Sequence, residues 1–167
     1  FCIGYAEESW HSLYKYLKGK GYELDDMIKL GLVSKKNGKV FDTFRNRVIF
    51  PIIKSNDKVI GFGGRIIGDG KPKYLNSPEN SIFKKKQNLY GINLTGSAMS
   101  QQGSAILVEG YMDVISVYQH GIENITASLG TALTLGQAKL IKRYTDNVVL
   151  SYDTDSAGQK ATMRAID

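Results

Sequence analysis

The chain has 167 residues, 42% of them hydrophobic and 23% charged, and a net charge of +6. That is enough to bury a real core in one or two domains. No apolar stretch approaches the roughly 18 residues of a membrane span, no signal-peptide pattern opens the chain, and the single Cys2 excludes an internal disulfide. No Cys/His cluster has zinc spacing, and His11 and His120 stand alone. The charge is uneven. Residues 1–100 carry 17 Lys and Arg against 9 acids, whereas residues 101–167 carry 5 against 7. A basic body beside a smaller acidic centre suits a phosphodiester polymer, although a solvated basic surface fits the charge equally well. The chain opens on Phe1 and stops at Asp167 within a helical pattern, as an excised piece of a longer protein would.

In chain order, Ser9 is a candidate cap for a helix whose Trp10, Leu13, Tyr14 and Leu17 fall on one apolar face. Gly19 and Gly21 end it. A second helix from Asp25 to Leu30 carries acids in its first turn and stops at Gly31. Asn37-Gly38 within a basic turn is a hairpin signal. Val48 to Ile53 and Lys58 to Phe62 read as two strands joined by a short loop, hence a second hairpin. The cluster Gly61-Phe62-Gly63-Gly64-Arg65 lacks a following helix pattern; it reads as a bent strand running into another short strand, not as a phosphate loop. Beyond Gln101-Gln102-Gly103, the best boundary, the pattern is regular. Strand Ala105–Glu109, a helix near Met112–His120, strand Asn124–Leu129, a helix opened by the Thr134/Gln137 capping box and running to Tyr144, and strand Asn147–Asp153 follow in turn. Asp155 or Ser156 would cap a third helix. Such alternation predicts right-handed crossovers and a parallel sheet.

Four acids stand at predicted strand ends: Glu109 and Asp113 after the first strand, Asp153 and Asp155 after the third. Ligands of open α/β sheets bind at the carboxyl ends of parallel strands. Residues i and i+2 of an extended segment face the same way, so Asp153 and Asp155 would point together. Gathered carboxylates repel, and a hard divalent cation with oxygen ligands is the usual remedy. Two helix caps and a salt bridge are the plainer alternative.

These residues carry a family resemblance. An apolar strand ending in Glu109-Gly110 and a later strand ending in Asp153-Thr154-Asp155-Ser156-Ala157-Gly158 resemble the Toprim domain of primases, topoisomerases and some nucleases. Val108–Asp113, Arg45-Asn46-Arg47-Val48-Ile49-Phe50-Pro51-Ile52, Gly61–Arg65, Pro72-Lys73-Tyr74-Leu75-Asn76-Ser77-Pro78-Glu79, Gln87–Gly91 and Ala127–Thr131 resemble DnaG-type bacterial replicative primases, in the family's order along essentially the whole chain. The resemblance implies an α/β fold: a basic α+β amino-terminal subdomain over 1–103, and over 104–167 a Toprim-type parallel sheet flanked by helices and incomplete at its carboxyl end. It implies an RNA polymerase that makes short primers on single-stranded DNA from ribonucleoside triphosphates, leaving an RNA–DNA hybrid. Glu109, Asp153 and Asp155 would be catalytic, and with Asp113 would hold two Mg2+ ions, for which Mn2+ could substitute. Arg45, Arg47, Lys73 and Lys85 would line a groove for template or nucleotide, with forked Arg donors and compact Lys charges matched to phosphate.

The resemblance also implies a cytoplasmic protein of the bacterial replication fork, associated with the nucleoid and with no membrane partner. It would bind the replicative helicase through a carboxy-terminal domain, and zinc through an amino-terminal one, neither within these residues. Lys84-Lys85-Lys86-Gln87 departs from the family's His-Lys-Gly-Arg, and the third acidic cluster of the family is not reached. The isolated segment is therefore expected to fold at least partly and to make no primers. A Toprim topoisomerase or nuclease, and a nucleic-acid-binding module without catalysis, are the readings from other classes. No tyrosine is marked as a nucleophile by its neighbours, and clustered acids would repel a phosphate backbone.

Overall fold

Backbone hydrogen bonding divides the first half of the chain into short elements. The structure, a computed structural model, describes residues 1–130, 132–153, 158, 159 and 163. It forms two compact units, one of Cys2–Pro51 with Gly61–Phe83, the other of Phe1, Ile52–Ile60 and Lys84–Asp167. This division does not follow a single cut in the sequence: residues 84–103 group with the parallel sheet.

The first unit opens with β1 (Gly4–Ala6), α1 (Ser12–Gly19) and α2 (Leu24–Lys29), followed by β2 (Val33–Lys36) and β3 (Lys39–Asp42). β4 (Arg47–Ile53), β5 (Val59–Ile66) and β6 (Tyr74–Asn76) complete a four-stranded sheet in the order β1-β4-β5-β6, whose β4–β5 tip counts with the second unit. β2 and β3 form the expected hairpin, with Asn37 and Gly38 both at positive φ, as the tight turn requires. β5 is one continuous strand, not a bent strand followed by another. Its glycines serve packing: a Cβ at Gly64 would lie 2.7 Å from the Phe44 ring, and one at Gly61 3.2 Å from Phe83. Only the missing side chain lets these aromatics lie against the sheet.

The start of α1 departs from the sequence reading. Ser9 does not cap it, Trp10 lies outside it, and Ser9 Oγ merely accepts from the His11 N–H at 3.3 Å. The cap comes from 28 residues downstream. Asp42, buried at 2% exposure, accepts the Leu13 and Tyr14 N–H groups at 2.8 and 2.9 Å. A carboxylate there satisfies two orphan donors and opposes the positive end of the helix dipole. Asp42→Ala is expected to cost about 1–3 kcal/mol, read as a lowered midpoint in thermal or urea unfolding, and Asp42→Asn, which keeps an acceptor, less. Equal stability of Asp42→Ala and the parent would refute the remote cap.

The second unit contains a 3-10 turn (Lys85–Gln87), α3 (Ile92–Gln102), β7 (Ala105–Val108), α4 (Tyr111–Gln119), β8 (Ile125–Ala127), α5 (Leu135–Ile141) and β9 (Val148–Leu150). The sheet is parallel, in the order β8-β7-β9. Leu89, Ile92, Met99, Ala105, Leu107 and Ile141 form its core, with Leu150 and Tyr152 packed against them. The Thr134/Gln137 capping box forms as read, with Gln137 N–H to Thr134 Oγ1 at 3.3 Å and Thr134 N–H to Gln137 Oε1 at 3.1 Å. α5 ends at Ile141, short of Tyr144. α3 has no counterpart in the sequence reading. Its Asn, Thr, Gly and Ser are poor helix formers, and packing decides the matter: a Cβ at Gly96 would lie 2.6 Å from the Tyr144 ring. The helix expected after Asp155 lies outside the described residues.

Candidate active site

Parallel pairing sets Leu107 opposite Leu150, so the segments leaving β7 and β9 emerge at one edge of the sheet. Glu109 follows β7, and Asp153 follows β9 three residues on. They meet: Glu109 Oε1 accepts the Asp153 backbone N–H at 3.2 Å. Gly158 closes on the same point. A Cβ there would run into the Asp153 carbonyl oxygen and stand 2.9 Å from Glu109 Oε1, so the backbone can come this close only as glycine. Asp113, in the first turn of α4, reaches back to the Gly110 N–H with Oδ2 at 3.0 Å. One of its oxygens thus caps the helix, and the other makes no hydrogen bond to a described residue. Asp155, the fourth acid, lies outside the described residues.

Among the described residues, no three His, Cys, Asp or Glu side chains stand close enough to hold a metal ion. None of Glu109, Asp113 and Asp153 forms an ion pair with Lys or Arg among them either. Carboxylates left without a counter-charge at a sheet edge are oxygen donors of the kind hard divalent cations take. Beside them, burial first and the Glu109 charge second raise the Tyr152 hydroxyl above its usual pKa. Its Oη is buried with no hydrogen-bond partner among the described residues.

The basic residues fall in both units, Arg45, Arg47 and Lys73 in the first and Lys85 in the second. Arg45 is half-buried. Its guanidinium lies 4.1 Å from the Trp10 ring centroid and 5.4 Å from that of Phe41, and Nη1 donates to the Asp42 carbonyl. Arg47 is interior, at 5% exposure. Nη1 donates to the carbonyls of Gly64 and Lys73 at 3.1 and 3.4 Å, and Nη2 to that of Pro72 at 2.9 Å. Burial, then the Arg45 charge, lower its pKa. So Arg47 does not line an open groove, as the sequence reading had it; it clasps the segment that presents Lys73. Lys73 is exposed in a 610 Å³ cleft that also takes in Arg65 and Lys71. Sequence reading passed over those two, since nothing in β5 or before Pro72 brings them together until β6 folds back on β5. Lys85, in the 3-10 turn, is half-buried, and its carbonyl accepts from Gln137 Nε2 at 3.0 Å.

A family profile for the DNA primase catalytic core, N-terminal domain, matches residues 1–95, and a Toprim-like profile matches 106–167. The chain is 56% identical over 168 residues to a DNA primase of Clostridium acetobutylicum and 45% identical over 170 residues to one of Deinococcus radiodurans. Those alignments take in all of this chain and 28% and 30% of the relatives. The chain thus spans less than a third of the curated relatives it matches. Among solved structures, it resembles a DNA primase domain from Pseudomonas aeruginosa (TM-score 0.91, 42% identity, 98% of this chain and 52% of that one). It also resembles a DnaG primase catalytic domain bound to ssDNA (TM-score 0.89, 40% identity, 99% and 52%). The sheet edge that joins Glu109 to Asp153 and the basic first unit therefore sit in a known frame, and the chain belongs to the DNA primase catalytic core family, as its N-terminal domain followed by a Toprim-like segment.

Proposed function

We propose that the full-length protein is a primase, an RNA polymerase that makes short primers on single-stranded DNA during bacterial replication. The observation that carries this is the Glu109–Asp153 junction at the carboxyl edge of a parallel sheet, in a chain of the primase family. Glu109 and Asp153, which meet at the junction, are the residues that would hold divalent metal, Mg2+ by preference. Asp113 would have to move up to join them, since the described acids do not stand together as a threesome, and Asp155, outside the described residues, would complete the set. Such ions, when bound, lower the pKa of an attacking hydroxyl and neutralise a triphosphate and its leaving pyrophosphate. The chain's own residues do the positioning. The Asp153 N–H orients Glu109, Gly158 brings the following backbone against both, and Asp113 fixes the start of α4 beside them.

Lys73 in its cleft, Lys85 on the 3-10 turn and Arg45 in front of Trp10 supply cationic contacts for template phosphates or incoming ribonucleotides. Arg47 holds the Lys73 segment. The RNA–DNA hybrid product would pass over the same cations, and contact with the replicative helicase would come from parts of the protein beyond these residues. Among the described residues no helix is long and apolar enough to cross a membrane.

The test is to incubate the full-length protein with a single-stranded template, ribonucleotides and magnesium. Short RNA products that vanish on chelation are expected. Relaxation or cleavage of plasmid DNA in place of RNA synthesis would overturn the reading.

A further inference from the structure

Within the second unit, a 490 Å³ pocket lies between the β4–β5 loop, the 3-10 turn and α5, and none of the residues assigned above is in its lining, although Lys85 belongs to the same turn. Its cations come from three places: Lys54 on the loop, Lys139 on α5, and Arg143 just beyond it. Ser55, Gln87 and Asn88 add polar groups, and no acid lines it. None of the three cations forms an ion pair with an Asp or Glu among the described residues. The walls are fixed. Gln137 Nε2 donates to the carbonyls of Lys85 and Asn88, both at 3.0 Å, and Thr134 Oγ1 to that of Lys86 at 2.6 Å, which locks α5 against the turn. A Cβ at Gly136 would collide with the Lys86 carbonyl, so the two pack backbone to backbone.

We infer that this pocket binds the sugar–phosphate backbone of a single-stranded nucleic acid, as a contact additional to the carboxylate edge and the Lys73 cleft. Three like charges held around one cavity repel one another, and an anion of several phosphates relieves that repulsion. The cavity is large for one phosphate and sits within the range of ligand-sized pockets, about 300–1,000 Å³. Its lining contains no aromatic residue, so it offers no platform on which a base would stack. Contact is therefore with the backbone and indifferent to sequence. The inference rests on the nucleic-acid reading above.

The test combines Lys54→Ala, Lys139→Ala and Arg143→Ala and measures binding of two labelled oligonucleotides of unrelated sequence across a salt series. A single-strand contact contributes about 0.7 to the salt slope, so the triple change should lower the slope by about 2 and weaken both oligonucleotides alike. Lys139→Glu, a change at an exposed position of α5, should weaken binding on its own and guards against a folding defect in the triple variant, with circular dichroism as the check on both. If the parent binds neither oligonucleotide, the nucleic-acid reading falls and this inference with it. If the parent binds and both variants, folded, match it in affinity and slope, only this inference falls. Inorganic tripolyphosphate is the remaining arm: binding that depends on the three cations, with an unchanged oligonucleotide slope, would assign the pocket to free polyphosphate and overturn the strand contact.

Discussion

Glu109→Gln is expected to lower primer synthesis by the full-length protein at least about a hundredfold while leaving the fold intact. The change removes one negative charge and little else. Glutamine retains an oxygen where Glu109 Oε1 accepts the Asp153 N–H, so the junction between the β7 and β9 edges can still form. Glu109 is half-exposed and in no ion pair among the described residues, and such substitutions usually stay within about 0.5 kcal/mol. A metal-held oxygen at the reacting centre is worth several kcal/mol, and each 1.36 kcal/mol is tenfold in rate. Asp113→Asn separates cap from ligand in the same assay. Asparagine keeps an acceptor for the Gly110 N–H, so activity survives the change if Asp113 only caps α4, and falls with Glu109→Gln if it also holds metal. Primer synthesis on a single-stranded template, paired with thermal unfolding, reads both. Activity of Glu109→Gln within about threefold of the parent would show that this carboxylate is not part of the chemistry.

What could be read in the sequence was the local part. The Asn37-Gly38 turn, the Thr134/Gln137 capping box and the apolar run Ala105–Val108 each declare themselves within a few residues, and each stands where expected. The parallel sheet follows from strand–helix alternation because crossover geometry leaves few choices. The meeting of Glu109 and Asp153 was inferable for the same reason, since both leave the same edge. What could not be read depends on partners far along the chain. Asp42 caps α1 only because β3 returns beside it. α3 is helical despite its residues, because Gly96 admits the Tyr144 ring. Arg47 resembles a surface phosphate ligand in sequence, directly after Arg45-Asn46, and nothing local says that three carbonyls will enclose it. The pocket cations Lys54, Lys139 and Arg143 are separated by up to 89 residues and become neighbours only in the fold.

Arg47→Met should destabilise the chain by about 2–4 kcal/mol, lowering the unfolding midpoint by roughly 5–15 °C at about 2–4 °C per kcal/mol for a chain of this size. Methionine fills most of the aliphatic volume that passes within 3.0 Å of a Cβ built on Gly64, so the loss is mainly of hydrogen bonds. The carbonyls of Gly64, Pro72 and Lys73 would each lose the guanidinium as a donor, Lys73 keeping the Ile66 N–H at 3.0 Å, and an acceptor left short of a donor away from water costs its desolvation. Arg47→Lys should recover part of this and no more, because one ammonium cannot reproduce a planar fork across three acceptors. The nucleic-acid readout should move the other way. A guanidinium at 5% exposure touches no phosphate, so a folded Arg47→Met chain should keep the parent's salt slope for single-stranded DNA. Lys73→Ala, at an exposed position, should keep the parent's melting temperature and lose about 0.7 of slope. The two variants thus exchange signatures. If Arg47→Met leaves the melting temperature untouched and flattens the slope while Lys73→Ala does not, Arg47 is the phosphate ligand that its place in the sequence suggests, and the interior clasp is wrong.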